Sequence, residues 1–511
     1  MVTVRMLATF LLTVEVLFVL HAQPPQRQSE NPTQIEYLLL GDATRGAGEP
    51  MIAVDPTDPQ NIVVTAMGGL YGAPRGPRST IPWLAVTNNG GVSWKIGELP
   101  ILDGAYPRCP DPVTEVTKEG TFIAGCGPRE IYGSQIGTSA IMMSADKGQS
   151  WGPRVHMIDA FAPARFAPGL KPAMQGSSPW DRPFILVDDA TKVIYGVAVG
   201  GLTTTDAGPG QTRSQSYITA STDNGKSFGT IYAWDSKDYP EMSRGAGAAA
   251  AHGAAAVLYV ASKAPAQENA TCPCTVFGLS RDQGKTFSYH VLKNVPPPRG
   301  GAPGGRPLES AAGAAGPGGA GAGRGAATPA ELPAADVSRN ATAPEGATIV
   351  IFTDNSLTAD PTTPGRFAIR LMVGGSKPYW EVIATDDYGA TWSAPVSAGS
   401  SPEAVNYAKT TMKYSRDGVL GLSWKAVYAD RSFDVWASIS RDGGKTFSNP
   451  LRVSRAKSPG SVPVKGGGND DNSDIAFDKD NIHMVWGDFR SGFLGSWYGK
   501  VALSAFEFPK R

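Results

Sequence analysis

The sequence predicts an all-β protein, a β-propeller of four-stranded blades. Two observations lead to this fold class. Short runs rich in Val, Ile, Tyr, Phe and Thr alternate with turns in a chain that has 61 Gly and 42 Pro among 511 residues, a composition typical of strands joined by turns. An eight-residue phrase also recurs six times. Its usual spacing of about 55 residues leaves room for one four-stranded sheet per copy.

The recurring phrase has the consensus Ser/Thr, any, Asp/Asn, any, Gly, any, Ser/Thr, Trp/Phe, and we call each copy a repeat turn. The acidic or amide residue of the third position accepts hydrogen bonds from its own turn, and the Gly supplies a positive φ. The closing aromatic residue starts the next strand. Each copy is therefore predicted to join two strands of a hairpin. The third-position residues are Asn89, Asp146, Asp223, Asp282, Asp387 and Asp442.

The spacing of the copies predicts the number of blades. The copies begin at residues 87, 144, 221, 280, 385 and 440. The longest gap contains a Gly/Ala/Pro tract, residues 296–345, which has too little apolar surface to order itself and is predicted to be an insert. A last unit, residues 472–508, offers three strands without a repeat turn, and the N-terminal strand "IEYLLLGD" would complete it. Seven blades are therefore predicted, and six is the alternative if one irregular segment is not a blade.

The N-terminus and the charge balance indicate compartment and partners. Arg5 precedes the apolar residues 6–20, and Ala22 stands before a polar segment. Residues 1–22 are therefore predicted to be a signal peptide of a secreted or periplasmic protein, with an uncleaved anchor as the alternative. A linker, residues 23–34, and one propeller domain, residues 35–511, follow. The 46 basic and 46 acidic residues balance, so nucleic acid is not an expected partner. We expect a monomer with no membrane span after cleavage.

The four cysteines fall into two pairs. Cys109 and Cys126 flank two predicted strands around a turn, which places their sulfurs side by side and predicts a disulfide. Cys272 and Cys274 are only two residues apart, so a local disulfide and free thiols both stay open.

The repeat turn resembles the Asp box, or BNR repeat, of the sialidase superfamily, and the resemblance covers almost the whole mature chain except the insert. In that superfamily the box joins the third and fourth strands of a blade, away from the active face. The resemblance therefore implies a structural role for the six turns. The patterns "GQSWG" and "GKSFG" match the GxSxG of hydrolase nucleophiles, but both lie inside repeat turns and outside a strand-to-helix context.

In a propeller, functional residues are expected where first strands begin and just after second strands end, because those loops surround the central opening. Charged residues and tyrosines are concentrated at these positions. They are Glu49, Arg108, Asp111, Arg129, Glu130, Asp181, Arg182, Asp354, Lys425, Asp470, Asp471, Asp474, Asp488 and Arg490, with Tyr106, Tyr132, Tyr407 and Tyr498.

Sialidases bind the substrate carboxylate with three arginines, attack with a tyrosine activated by a glutamate, and use an aspartate as acid and base. The resemblance implies the substrate-binding residues Arg108, Arg182 and Arg490. It implies Asp181, or Asp111, as the acid. It implies Glu130 with Tyr498, or with Tyr132, as the nucleophile pair. The Arg-Ile-Pro motif of the family is missing, because "TIPW" has Ile-Pro without the Arg.

The expected function is an exported glycoside hydrolase of the exo-sialidase type that acts on a glycan or glycoconjugate. The alternative is a non-catalytic Asp-box propeller that binds glycans or envelope proteins, and a lyase or endoglycanase is a third hypothesis. Charged residues at blade mouths also tie neighbouring blades together by ion pairs. The scarce histidines show no metal-ligand spacing, so no metal and no cofactor are predicted. The "NDDNSD" loop, residues 469–474, offers oxygen ligands for calcium, or is a solvated acidic loop.

Overall fold

The structure is a computed structural model, and its strands form seven antiparallel sheets arranged as blades around an axis. This confirms the predicted propeller and the seven blades. The described residues are 34–71, 79–127, 138–170, 181–203, 213–293, 295, 349–350, 356–375, 377–461, 470 and 472–510. The predicted signal peptide and the 296–345 insert lie outside them.

The first strand of the chain, β1 (Gln34–Leu40), belongs to the last blade. Blades 1 to 4 follow in chain order. Blade 1 contains β2 to β5, which are Arg45–Val54, Ile62–Leu70, Ile81–Thr87 and Lys95–Glu98. Blade 2 contains β6 to β9, which are Val113–Val116, Phe122–Cys126, Thr138–Ser144 and Val155–Asp159. Blade 3 contains β10 to β13, which are Asp181–Asp188, Val193–Thr203, Arg213–Ser221 and Tyr232–Ala233. Blade 4 contains β14 to β17, which are Glu241–Ala251, Ala254–Ala261, Cys274–Ser280 and Ser288–Val291.

Blades 5 to 7 complete the ring. Blade 5 contains β18 to β22, which are Ile349–Val350, Leu357–Ala359, Phe367–Val373, Tyr379–Thr385 and Val396–Gly399; β18 and β19 both pair with β20. Blade 6 contains β23 to β26, which are Asn406–Tyr414, Leu420–Val427, Phe433–Ser440 and Leu451–Arg452. Blade 7 contains β27 to β29, which are Asp474–Phe477, Asn481–Asp488 and Gly495–Ala502, together with β1. Short 3-10 turns include Pro163–Arg165, Ala266–Glu268 and Leu503–Ala505.

The N-terminal strand closes the ring, as predicted. β1 pairs antiparallel with β29, with Tyr37 opposite Tyr498. The Tyr37 hydroxyl donates a hydrogen bond to the Gly91 carbonyl (2.7 Å) and accepts one from Trp94 Nε1 (2.8 Å). Because Gly91 and Trp94 belong to the repeat turn of blade 1, the closing strand is tied to the first blade as well as to the last.

All six repeat turns join the third and fourth strands of a blade and share one hydrogen-bond pattern. In the turn of blade 3, Asp223 Oδ1 accepts from the Ser227 amide (2.9 Å) and from Ser221 Oγ (2.7 Å). The Gly225 amide donates to Ser221 Oγ (2.9 Å), and the Gly225 φ of 79° lies in the left-handed region. Hydrogen bonds from Ser227 lower the pKa of Asp223 to about 2, although desolvation acts to raise it.

Strand order divides the propeller into two ends. In an antiparallel sheet whose strands pair in chain order, the connections from strand one to two and from three to four lie at one end. We call this the turn end, because it carries the repeat turns. The opposite end carries the connections from strand two to three and from each blade to the next, and we call it the open end.

The hydrophobic core lies between neighbouring blades. Apolar residues from facing sheets form successive clusters, such as the cluster that packs Val113 and Ile141 of blade 2 against Ile185 and Tyr217 of blade 3. Residues 109 and 126 form a disulfide, as do Cys272 and Cys274. Within the described residues no helix has the length and apolar character to cross a membrane.

Candidate functional site

The first strands of the seven blades surround an axial channel. Its cavity has a volume of about 220 Å³ and is lined by residues of β2, β6, β10, β14, β19, β23 and β27. Most of the lining is apolar, as in Ile52, Leu186 and Leu357. The charged residues of this lining are Glu115, Asp189, Lys413 and Arg416.

A lysine lies between two carboxylates in the channel. Lys413 Nζ on β23 is 3.1 Å from Glu115 Oε1 on β6 and 2.9 Å from Asp474 Oδ1 on β27. The side chains of Lys413 and Glu115 are 24% and 31% exposed to the channel, whereas Asp474 is fully buried. The backbone amide of Ile52 also donates to Asp474 Oδ2 (3.2 Å). The group, which we call the axial triad, joins blades 2, 6 and 7.

The axial triad has perturbed acidities. Burial raises the pKa of Asp474 to about 6, although the positive charge of Lys413 acts in the opposite direction. Burial acts to lower the pKa of Lys413, but the carboxylates of Asp474 and Glu115 outweigh it and raise that pKa. Groups with pKa values displaced in this way occur frequently at functional sites, although structural ion-pair networks also produce them.

An arginine crosses the channel at its turn end. Arg416, in the turn between β23 and β24, donates through Nη2 to the Val116 carbonyl (2.6 Å). Its Nη1 also forms an ion pair with Asp189, in the turn between β10 and β11. These contacts join blades 2, 3 and 6 at the turn end.

β-bulges carry charged residues at the open-end mouth. In blade 1 the register shifts between Gly48 and Met51, and in blade 6 it shifts between Ala408 and Thr411. The inserted residues Glu49 and Lys409 have φ values of 50° and 47°. Asp111, at the corresponding place in blade 2, has a φ of 54°. Left-handed backbone is unfavourable for such residues, and bulges of this kind are frequent beside functional sites, where they redirect a side chain.

The predicted residues Arg108 and Asp111 lie at this mouth on either side of a covalent tie. The disulfide joins Cys109 to Cys126, the last residue of β7, with Cα atoms 5.6 Å apart. The Gly127 amide donates to the Pro110 carbonyl (2.9 Å) and continues the pairing beyond the strand. The segment that carries Arg108 and Asp111 is thus held against the end of a second strand.

Two further predicted residues, Asp181 and Arg182, begin β10, and Asp181 pairs with Val199. The register shifts between Asp181 and Pro183, so Arg182 occupies the bulge of blade 3. Only the backbone of this pair is described. Glu130, with Arg129 and Tyr132, lies outside the described residues, and the roles of all these residues stay predictions.

Arg490 is engaged by carboxylates at the edge of blade 7. Its Nη2 is 2.5 Å from Glu36 Oε1 and 2.6 Å from Asp488 Oδ2, and its guanidinium lies 4.0 Å from the centre of the Trp497 ring. Glu36 belongs to β1, the outermost strand of the blade. The structure therefore places Arg490 in an ion-pair network away from the axial triad, and its role in substrate binding stays a prediction.

Tyr498 lies in the core between blades 7 and 1. It is 1% exposed, and its hydroxyl is 2.7 Å from His483 Nδ1. His483 Nε2 is in turn 2.9 Å from Asp478 Oδ2. The Tyr498 ring packs 5.3 Å from that of Tyr37, and burial raises its pKa far above the ordinary value. The structure does not bring Tyr498 to the channel, so the predicted nucleophilic role would require the hydroxyl to leave this network.

Asp470 and Asp474 of the acidic segment 469–474 are ion-pair partners of lysines, and residues 469 and 471 lie outside the described residues. Asp474 contacts Lys413, as described above, and Asp470 Oδ2 is 2.7 Å from Lys425 Nζ. Lys425 Nζ also donates to the Gly487 carbonyl (2.6 Å). Within the described residues no group of three or more His, Cys, Asp or Glu has the arrangement of a metal site.

Sequence reasoning did not single out Glu115, Lys413 or Glu241. Glu115 lies inside the first strand "VTEV", where it is the one charged residue, and this was the available signal. Lys413 lies inside "NYAKTTMKY", which is mostly polar and contains two lysines, so its sequence carried no comparable signal. Glu241 begins β14 at the open end and is 1% exposed. It accepts hydrogen bonds from Ser216 and Trp234, and burial, reinforced by the charge of Asp235, raises its pKa to about 8.

Comparisons with known proteins found structural neighbours only. No family model matches the chain, and no curated protein sequence matches it. A protein of unknown function from Dyadobacter fermentans is 10% identical with a TM-score of 0.45, covering 92% of this chain and 100% of its own. The intramolecular trans-sialidase from Ruminococcus gnavus is 12% identical with a TM-score of 0.42, covering 80% and 97%. The α-L-arabinanase from Penicillium chrysogenum is 11% identical with a TM-score of 0.41, covering 79% and 96%.

Proposed function

We propose that this protein is an exported glycoside hydrolase of the sialidase-like propeller type, which binds a glycan at the open end of the axial channel. The observation that carries the proposal is the axial triad, where Asp474 and Glu115 share Lys413 inside a channel whose open-end mouth bears further charged residues. The resemblance of the six repeat turns to Asp boxes supports the same class, since it puts the chemistry at the end opposite those turns.

Glycoside hydrolysis requires one carboxyl group that donates a proton and a second that acts as a base or nucleophile. With its pKa raised to about 6, Asp474 keeps part of its population protonated near neutral pH. Because its side chain is buried, it can supply a proton only through Lys413 and Glu115, which reach the channel. Glu115 is the carboxylate that reaches the channel. Lys413 holds the two groups together and balances the charge when both are ionised.

The residues of the mouth are assigned to substrate binding. Arg108, beside the Cys109–Cys126 tie, and Arg182, in the bulge of blade 3, supply guanidinium groups. A sialoside carboxylate would bind to such groups through paired hydrogen bonds. Exo-sialidase activity is therefore the first specific reaction to test, with Asp181 and Glu130 as its further predicted residues.

The test compares turnover of fluorogenic sialosides and neutral glycosides by the purified protein and its variants. Loss of a general-acid step typically lowers the rate 10²- to 10⁴-fold, so turnover by the Asp474→Asn variant, which lacks the titrating proton, is expected to fall by about 100-fold or more. Asp223→Asn, at the turn end, serves as the matched control and should retain wild-type turnover. If the wild-type protein hydrolyses sialosides no faster than the Arg182→Ala variant, it is not a sialidase. If it hydrolyses none of the glycosides, the glycoside hydrolase proposal is wrong.

The second candidate is a non-catalytic propeller that binds glycans. This candidate is favoured because two predicted basic residues already form ion pairs within the protein. Lys425 is paired with Asp470, and Arg490 is paired with Asp488 and Glu36. Binding of a glycan in calorimetry, without turnover and with unchanged affinity in Asp474→Asn, would establish this candidate over the first.

Substitution of Tyr498 tests the nucleophile prediction directly. If the hydroxyl serves only its contact with His483, Tyr498→Phe lowers stability by about 1 kcal/mol, the usual effect of one hydrogen bond, and turnover is retained. Loss of turnover at unchanged melting temperature would instead support the sialidase-type tyrosine. His483→Gln is the companion variant, since it disturbs the same network without touching the phenol.

A further inference from the structure

The second disulfide closes a very small ring at the open end. Cys272 and Cys274 are separated by Pro273 alone. They lie where the connection from β15 to β16, residues 262–273, meets the first residue of β16. Cys272 is half-buried and Pro273 exposed, whereas Cys274 is only 4% exposed. Cys272 is therefore the more exposed residue of the pair, although it packs against the apolar cluster that contains Cys274.

The two disulfides of the chain differ in what they constrain. Cys109 and Cys126 are 17 residues apart and both are fully buried. A disulfide stabilises a protein mainly because it restricts the conformations of the unfolded chain. This effect increases with the length of the loop that the disulfide closes. The Cys272–Cys274 ring is the shorter by far, so the contribution of this bond to global stability is the smaller of the two.

Strand pairing holds Cys274 in place in addition to the disulfide bond. Cys274 pairs with Ala261 in the β15–β16 ladder, and the pairing continues from Thr275 opposite Val260 to Ser280 opposite Ala255. Opening the bond would free Cys272 and the end of its loop while β16 stays in place. The same loop carries Glu268, whose Oε1 accepts a hydrogen bond from the Tyr239 hydroxyl (2.7 Å).

We propose that Cys272–Cys274 is a reversible modification site that low-molecular-weight thiols reduce in the folded protein. The thiolate of the small thiol bonds to the sulfur of Cys272, the more exposed residue of the pair. The sulfur–sulfur bond breaks, and its electron pair leaves on Cys274, which takes up a proton from water. A second thiolate attacks the mixed disulfide and displaces Cys272 as a thiolate, which is then protonated. Two thiols are thereby oxidised to one disulfide, and the protein disulfide is reduced to two thiols.

Alkylation of the folded protein tests the site. The full-length protein is incubated with reduced glutathione under native conditions, iodoacetamide is added, and labelled peptides are identified by mass spectrometry. Cys272 and Cys274 are expected to be alkylated while Cys109 and Cys126 stay linked, with the melting temperature nearly unchanged. If air oxidises the glutathione before iodoacetamide is added, the Cys272–Cys274 bond should re-form, and neither cysteine should be alkylated.

Two double variants make the result interpretable. Cys272→Ser with Cys274→Ser should fold, bind no label, and resist any thiol-dependent change. Cys109→Ser with Cys126→Ser is the matched control, and its remaining pair should react as in the wild type; if that variant does not fold, the wild-type peptide map alone decides. Labelling of no cysteine, or of all four together as the protein unfolds, would overturn the proposal. None of these outcomes depends on glycosidase activity.

Discussion

Lys413 shows how one residue is stabilised by groups from distant parts of the chain. The lysine enters the channel between Glu115, nearly 300 residues away in sequence, and Asp474. A buried ammonium without partners would be strongly unfavourable, and two buried carboxylates without a cation equally so. Each member of the axial triad is therefore tolerated because the other two are present.

Replacing Lys413 by Met is expected to destabilise the protein by about 2 kcal/mol, less than for a fully buried pair, because the lysine is partly exposed to the channel. The loss of the positive charge should also raise the pKa of Asp474 further. Urea unfolding at pH 7 measures the first effect. Lys226→Met, on an exposed repeat turn, is the control, and equal stabilities of the two variants would contradict the role of the axial triad.

Glu241 predicts a pH dependence of stability. Its pKa is raised from 4.5 to about 8 in the folded protein, so the folded state keeps a proton that the unfolded state releases. Its contribution to stability is complete below about pH 4.5 and is lost as the pH rises to about 8, at up to about 1.4 kcal/mol per pH unit. Glu241→Gln should therefore gain stability relative to wild type between pH 5 and pH 8. The free energy of unfolding of both proteins is measured by urea unfolding across this pH range. The same pH dependence in both proteins would refute this prediction.

At the scale of the element, the repeat turn is a self-contained hairpin connection. Asp223 accepts hydrogen bonds from residues within four positions, and the Gly225 backbone adopts a positive φ. Asn89 takes the same place in blade 1, where its Oδ1 accepts from the Ser93 amide (2.9 Å). An amide thus substitutes for the carboxylate because the turn uses an acceptor oxygen rather than a charge.

Asp223→Ala is expected to lower the free energy of unfolding by about 1 kcal/mol, because it removes the acceptor oxygens of the turn. Asp223→Asn should cost less, since Asn89 already fills this position in blade 1. Thermal unfolding of both variants measures the difference. Glycan turnover or binding should be unaffected in either one, and a loss of function in Asp223→Asn would mean that the turn end takes part in the activity.

For the whole molecule, the decisive feature is the closure of the ring. β1 comes from the N-terminal side of the chain and completes blade 7, so β29 has a partner on both sides. Sheet edges are otherwise open to pairing with another chain. The axial triad adds a second closure, because it ties blades 2, 6 and 7 across the channel.

A chain that begins at Arg45 lacks β1 and is expected to melt at a lower temperature and to aggregate, because β29 becomes an exposed edge. A chain that begins at residue 31 keeps β1 and should behave as the full-length protein. Light scattering during a thermal ramp distinguishes the two. Equal behaviour of both chains would show that the closing strand is dispensable.

The candidate site was predictable only in part. Sequence reasoning placed Arg108 and Asp111 at the mouth and paired Cys109 with Cys126, and the structure has this disulfide. It grouped Arg490 with them because it follows a second strand, and Tyr498 because it lies near these loops in the sequence. The structure instead places Tyr498 against His483 and Arg490 against Glu36. The position of a residue along a strand does not reveal which face its side chain takes or which partner is nearest.

The sequence by itself determined the architecture. The repeat turns, their spacing and the unattached N-terminal strand predicted the propeller and its closing strand and favoured seven blades over six, because a repeat turn is held by hydrogen bonds within eight consecutive residues. The tertiary structure alone decided the contents of the channel. Glu115, Lys413 and Asp474 meet because the ring brings three first strands to one axis, and contacts between such distant residues depend on closure of the whole sheet array rather than on any local pattern.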